Sequence, residues 1–218
     1  MQLIYDTWRF MYEGGIFMAP IGFVFAWGVA IAIERYMKLS KVERQNRRMW
    51  AELQPVLEEG QFERAREMTA HSNTEIGTVL SLGLSRHGAA RRRDDIEIAM
   101  EEGMMEVIPQ LERRTHYLGI LANISTLLGL LGTVMGLIQA FSQVTGVDPA
   151  KRADVLSGAI AVAMNTTAFG LIAGIPLLLL YTFLTTKTGQ IVDSLEMASV
   201  KTLNLLSEVS RREASKNG

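Results

Sequence analysis

Three stretches of the chain carry no charged residue: residues 15–33, 117–144 and 155–186. Charge-dense polar segments separate them. Each stretch reaches or exceeds the roughly 20 residues a helix needs to cross a hydrocarbon core about 30 Å thick. An isolated span must satisfy its own backbone hydrogen bonds, so each is predicted to be a helix. The shortest, 15–33, could also be a buried core helix, but the length rule favours a span. It exits into a run of alternating charge, where Glu34 and Lys38 stand at i, i+4 and predict that the helix continues past the apolar part.

The segment 34–116 is amphipathic and predicted to fold as helical pieces. Leu53, Val56 and Leu57 form one apolar edge. Phe62, Ala65 and Met68 follow a break at Glu58-Glu59-Gly60. Ile76, Val79, Leu80, Leu82 and Leu84 predict another helix after the polar His71-Ser72-Asn73-Thr74 turn. From 94 to 116 the apolar residues Ile98, Met105, Ile108 and Leu111 punctuate a charged surface, and Pro109 predicts a kink before the second span. The tail from 187 has Ile191, Leu195, Ala198 and Leu205 at helical spacing. These segments are too small to expect a separate domain and read as extensions of the spans. The predicted fold class is an all-α membrane protein with three transmembrane helices and long cytoplasmic helical extensions.

The 22 Lys and Arg residues give the orientation. Fourteen lie in 35–116, five in the tail, two in 145–154 and one in the first fourteen residues. By the positive-inside rule, 34–116 and 187–218 are predicted to be cytoplasmic, and 145–154 periplasmic. Residues 1–14, with alternating aromatic and polar side chains and only Arg9 as a base, are predicted to be a periplasmic interfacial segment rather than a cleaved signal. The net charge of −1 and the absence of cysteine change none of this.

The second and third spans are more than oily anchors. Residues 127–137 read LLGLLGTVMGL, with Gly129, Gly132 and Gly136 at spacings of three and four. Such a face has no side chains, so neighbouring backbones can approach closely. Ala122, Thr126, Gly129, Thr133, Gly136 and Ala140 form an overlapping small stripe. In the third span, Ala163, Thr167, Gly170 and Gly174 share a face. Thr166 lies somewhat off it and Asn165 nearly opposite. A lone membrane threonine more often bonds the carbonyl one turn back than does chemistry. Two of them, Thr133 and Thr167, each flanked by small residues, favour a polar site, because intramembrane polar groups tend to face a cavity or a partner. Thr126, Asn165 and Thr166 are secondary polar candidates.

Enzyme chemistry has no footing here. There is no nucleophile elbow, zinc-protease motif, P-loop or cysteine. His71, His87 and His116 are scattered and read as solvated. Arg91-Arg92-Arg93 reads as a positive-inside signal rather than a nucleic-acid site. No catalytic residue, metal site or cofactor is expected. Neither 117–144 nor 155–186 contains Asp, Glu, Lys, Arg or His, so a carboxylate serving a proton path at that depth must come from another chain.

Three stretches resemble the MotA/TolQ/ExbB family of ion-channel subunits, and most of all its three-span ExbB and TolQ members. They are GGIFMAPIG…AIAIERYMKL, LLGLLGTVMGLIQAF and AVAMNTTAFGLIAGIPLLLLY. The resemblance covers all three spans. It implies an inner-membrane ring, a homopentamer in the family, around the single-span helices of an ExbD- or TolR-like partner that supplies an aspartate. It implies that ion flow drives work on the envelope, through an effector of TonB or TolA type. Thr133 and Thr167 match the family's two channel-lining threonines. Many ExbB proteins carry a glutamate five residues before the third-span threonine, where this chain has Val162. With Asn165-Thr166-Thr167 offering neutral oxygens, the proton is the expected ion and sodium stays open. A stator for gliding or flagellar motility and a passive membrane scaffold are the alternative functions.

Overall fold

The computed structural model describes residues 15–86 and 93–216, with side chains as far as Glu208. The interfacial segment expected at 1–14, His87 and Arg91-Arg92 lie outside the described residues. Among the described residues six α-helices follow one another: α1 (Met18–Glu58), α2 (Phe62–Ala70), α3 (Glu75–Arg86), α4 (Arg93–Glu112), α5 (Thr115–Val144) and α6 (Arg152–Lys216). A short 3-10 turn, Pro149–Lys151, leads into α6, with the Asp148 side chain accepting from the Ala150 amide. No β-strand occurs among the described residues. Three stretches of the described residues are long and apolar enough to cross a membrane: α1, α5 with the preceding α4, and α6. Both α1 and α6 run well past their apolar parts, so the expected extensions are present.

The chain divides into two compact units. The first takes residues 15–34, 114–144 and 145–184 and contains the apolar parts of α1, α5 and α6. Glycine sets its packing. A Cβ on Gly170 would stand 2.7 Å from the Ser125 carbonyl oxygen and 2.8 Å from Gly129 Cα, so α5 and α6 touch backbone to backbone. A Cβ on Gly28 would stand 2.6 Å from Leu177, which brings α1 against α6. The opposite side of α1 is oily and exposed, with Phe23 and Trp27 in edge contact. The first span therefore has a packing face as well as a lipid-type face. Glu34 does not pair with Lys38. It takes both its oxygens to the Arg114 guanidinium at 3.0 Å. Arg114 sits in the left-handed region, φ 67°, in the break between α4 and α5. The break falls there rather than at Pro109, which α4 passes through.

The second unit takes 35–86, 93–113 and 185–216 and is a helical bundle with its own core, including Leu39, Leu53, Leu57, Leu80, Leu84 and Leu195. The breaks in its chain have local causes. Gly60, at φ 76°, ends α1. The Thr74 hydroxyl accepts from the Gly77 amide and starts α3. The buried face of α4 is Ile96, Ala99, Met100, Gly103, Val107 and Leu111, whereas Ile98 and Met105 point outward. Of the apolar residues expected to punctuate the charged surface, Ile98 and Met105 lie on it and Leu111 turns into the core. Arg35 is almost fully buried, and its guanidinium donates to the Leu111 carbonyl in the last turn of α4.

Candidate functional site

The small faces of α5 and α6 meet in the first unit, and the two singled-out threonines meet with them. A Cβ on Gly129 would stand 3.1 Å from Gly170 Cα and 3.3 Å from Thr167 Cα. A Cβ on Gly136 would stand 2.8 Å from the Ala163 methyl, and one on Gly174 would stand 2.6 Å from Thr126 Oγ1. Gly132 leaves room for the Thr166 methyl. With the backbones this close, short side chains reach across. The hydroxyls of Thr133 and Thr167 are hydrogen-bonded to each other. Thr167 Oγ1 also donates to the Gly129 carbonyl at 2.9 Å, across the helix pair. Thr133 Oγ1 lies 3.3 Å from the same carbonyl and 3.5 Å from that of Ala163.

Counting protons shows what this cluster can do. Each hydroxyl has one hydrogen to give and two lone pairs to offer. If Thr167 donates to Gly129 and Thr133 donates to Thr167, both protons are used and lone pairs on Thr133 remain. Two hydroxyls and two backbone carbonyls form an oxygen-only set inside an apolar helix pair. No group of three or more His, Asp or Glu that could hold a metal ion is found among the described residues. The set cannot titrate. It can solvate a cation, or hydrogen-bond a carboxylic acid presented to it, in surroundings with little other polar competition.

The remaining sequence candidates separate. Thr126 bonds back to the Ala122 carbonyl at 3.2 Å and is largely exposed. Thr166 bonds back to Val162 at 3.1 Å and is buried, so it belongs to the packed seam, more deeply than its helical angle suggested. Asn165 is half-buried beside that seam and outside the hydroxyl pair. Gly129, Gly132, Gly170 and Gly174 are buried in the α5–α6 contact and Gly136 lies at its edge.

Ser125 escaped the sequence reading. It is fully buried, and its hydroxyl has no hydrogen-bond partner among the described residues. The stripe drawn through Thr126 hid it. Ser125, Gly129 and Gly132 are spaced four and three apart and are all buried, together with Ala122 and Ala140 of the stripe drawn through Thr126. Gly28, the contact point of α1, was also missed, because a single glycine in an oily span gives no periodic signal.

Residues 71–197 match the family model of the MotA/TolQ/ExbB proton channel family. The chain is 27% identical over 188 residues to an ExbB homologue of Methanothermobacter thermautotrophicus, covering 85% of this chain and 65% of that protein. It is 38% identical over 93 residues to the Tol-Pal system protein TolQ of Haemophilus influenzae, covering 43% of this chain and 40% of TolQ. It is 30% identical over 112 residues to the biopolymer transport protein ExbB of Aquifex aeolicus, covering 51% of this chain and 73% of that one. Against the first of these the chain spans a little under two thirds of the relative's length.

Proposed function

The chain belongs to the MotA/TolQ/ExbB proton channel family, and from that premise we propose that it is an inner-membrane channel and motor subunit working with a single-span partner of ExbD or TolR type. Copies of the chain, five by the family's pattern, surround the partner helices. The N-terminus lies in the periplasm and the C-terminus in the cytoplasm. Protons crossing the complex drive movement that a TonB- or TolA-type effector transmits to the envelope.

One observation carries this reading. The Thr133 and Thr167 hydroxyls converge with the Gly129 carbonyl between two spans that contain no Asp, Glu, Lys, Arg or His. Such a set cannot relay a proton alone. It suits a carboxylate brought by another chain, because an ionised acid at membrane depth costs about 2.5–3.5 kcal/mol on insertion scales and hydroxyls that solvate it reduce that cost. Thr133, with spare lone pairs, accepts from the protonated acid. On loss of the proton its hydroxyl can turn and donate to the carboxylate.

Valine keeps the shape of threonine and removes the hydroxyl. Hydrogen bonds to charged groups contribute about 1.5–3 kcal/mol, so Thr133→Val or Thr167→Val is expected to lower partner-dependent proton flux in liposomes by roughly ten- to a hundredfold. The complex should still form. Thr182→Val is the control, since that exposed hydroxyl bonds back to the Leu178 carbonyl of its own helix. Normal flux in both valine variants would refute the role of the pair.

A further inference from the structure

The second unit has a cavity of about 330 Å³ lined by α1 (Glu43, Asn46, Arg47, Trp50), by Ile76 and by α6 (Gln190, Ile191, Ser194, Met197). Beneath its floor lies an unmet donor. Asn46 is 3% exposed, and its Oδ1 accepts from the Ile76 amide at 3.3 Å. That bond fixes which end of the side-chain amide is oxygen, because a backbone N–H can only face an acceptor. Asn46 Nδ2 is therefore a buried donor, with no partner among the described residues. A buried donor left unmade costs about 1–3 kcal/mol, and this one is closed off from the groove as well as from solvent.

Charge in the same unit is segregated by helix. Residues 35–50 of α1 carry six Lys and Arg and one acid, whereas α4 carries seven acids and one Arg. The outward side of α4 presents Ile98, Glu101 and Met105 at i, i+3 and i+7. Ile98 is 52% exposed and Met105 is 73% exposed, so a carboxylate stands between two large apolar side chains that stand largely open among the described residues. The groove is the complement: Arg47, exposed and 3.3 Å from Glu43, stands at the rim of a helix stretch rich in Lys and Arg, with Trp50 and Met197 as apolar walls.

We propose that the groove of one copy seats the outward face of α4 from the next copy. Glu101 faces the exposed Arg47, while Ile98 and Met105 pack on Trp50 and Met197. Groove and ridge are different surfaces of one chain, so the contact is heterologous and closes into a ring when the rotation permits. This rests on the ring reading above and assigns the surfaces that hold the ring together outside the spans.

The absence of native cysteine makes the test direct. Met105→Cys and Met197→Cys are introduced together into the full chain, and the purified complex is oxidised. A ladder of disulfide-linked copies from the pair, but not from either single variant, is the expected result. Glu101→Arg or Arg47→Glu should each raise the protein concentration needed to hold the ring by about tenfold, and the two together should restore it, because opposite charges are regained in exchanged positions. A ring of wild-type mass that gives no ladder and ignores both charge reversals overturns the contact while leaving the ring reading standing. A wild-type protein that is monomeric by native mass spectrometry in the presence of lipid overturns both.

Discussion

At the scale of single residues, hydroxyl groups of the same kind take different parts according to what their backbone lets them reach. Thr126, Thr166 and Thr182 turn back to a carbonyl of their own helix. Thr167 reaches the Gly129 carbonyl of the other helix because Gly129 and Gly170 let the backbones touch. Ser125 is the opposite case, a buried hydroxyl with no partner among the described residues. Removing an unsatisfied buried polar group is neutral or stabilising. Ser125→Ala is therefore expected to leave the thermal midpoint unchanged or raise it, by an amount equivalent to about 1 kcal/mol. A clear fall in the midpoint would show that the hydroxyl has a partner in the assembled protein. The sequence could point to Thr133 and Thr167 by their flanks. It could not separate Thr126 from Ser125, since adjacent residues differ by only 100° on a helix and a seam two or three residues wide accepts either.

At the scale of elements, α5 and α6 are held by the lack of side chains. A Cβ at Gly170 meets backbone atoms of α5, which cannot swing aside as a side-chain end can. Gly170→Ala is expected to destabilise the pair by about 1–3 kcal/mol, the usual cost of overpacking. Gly189, on the extension of α6, has nothing within 4 Å of where a Cβ would lie. Gly189→Ala is expected to stabilise by about 0.5–1 kcal/mol, because glycine in a helix interior is unfavourable by that amount. Thermal unfolding of both variants in one detergent tests the contrast. Equal effects would mean that the α5–α6 seam does not depend on backbone contact. In the bundle, α3 and α4 repeat the device: a Cβ on Gly103 would stand 3.0 Å from Val79 Cα.

At the scale of the whole molecule, α1 and α6 are tied beyond their apolar parts by one ion pair. Lys187 Nζ lies 2.7 Å from Glu43 Oε2 and 5.5 Å from the Tyr36 ring centre. The hydrogen bond from Lys187 holds the Glu43 carboxyl below its usual range, against a smaller opposing effect of burial. A carboxyl whose pKa is lower in the folded state stabilises that state above its unfolded value, and the gain is lost as pH falls through the folded value. Glu43→Gln should thus lower the thermal midpoint at pH 7, with the deficit closing as the pH drops below about 4.3, the ordinary glutamate value. Because Glu43 is more than a third exposed, the effect is that of a screened pair and should shrink further in high salt. A deficit that is constant with pH would assign the change to packing instead.

Composition along the chain was enough to determine three spans, their glycine-lined faces and the helical extensions, because charge cannot enter hydrocarbon and a 3.6-residue period shows in any sequence. The Leu-Gly-Thr-Val-x-Gly stretch was equally legible, and with it the family. Relations between helices were not. Glu34 was read with Lys38, its neighbour on the helix, and pairs with Arg114, eighty residues away. Ile98 and Met105 stay on the charged surface of α4 while Leu111 turns inward, because an apolar position does not say which side the rest of the chain covers. That Thr133 and Thr167 touch, that Ser125 is shut in and that Asn46 keeps an unmet donor were decided only when distant segments packed. Hydrogen bonds and burial belong to pairs of elements, and a period belongs to one.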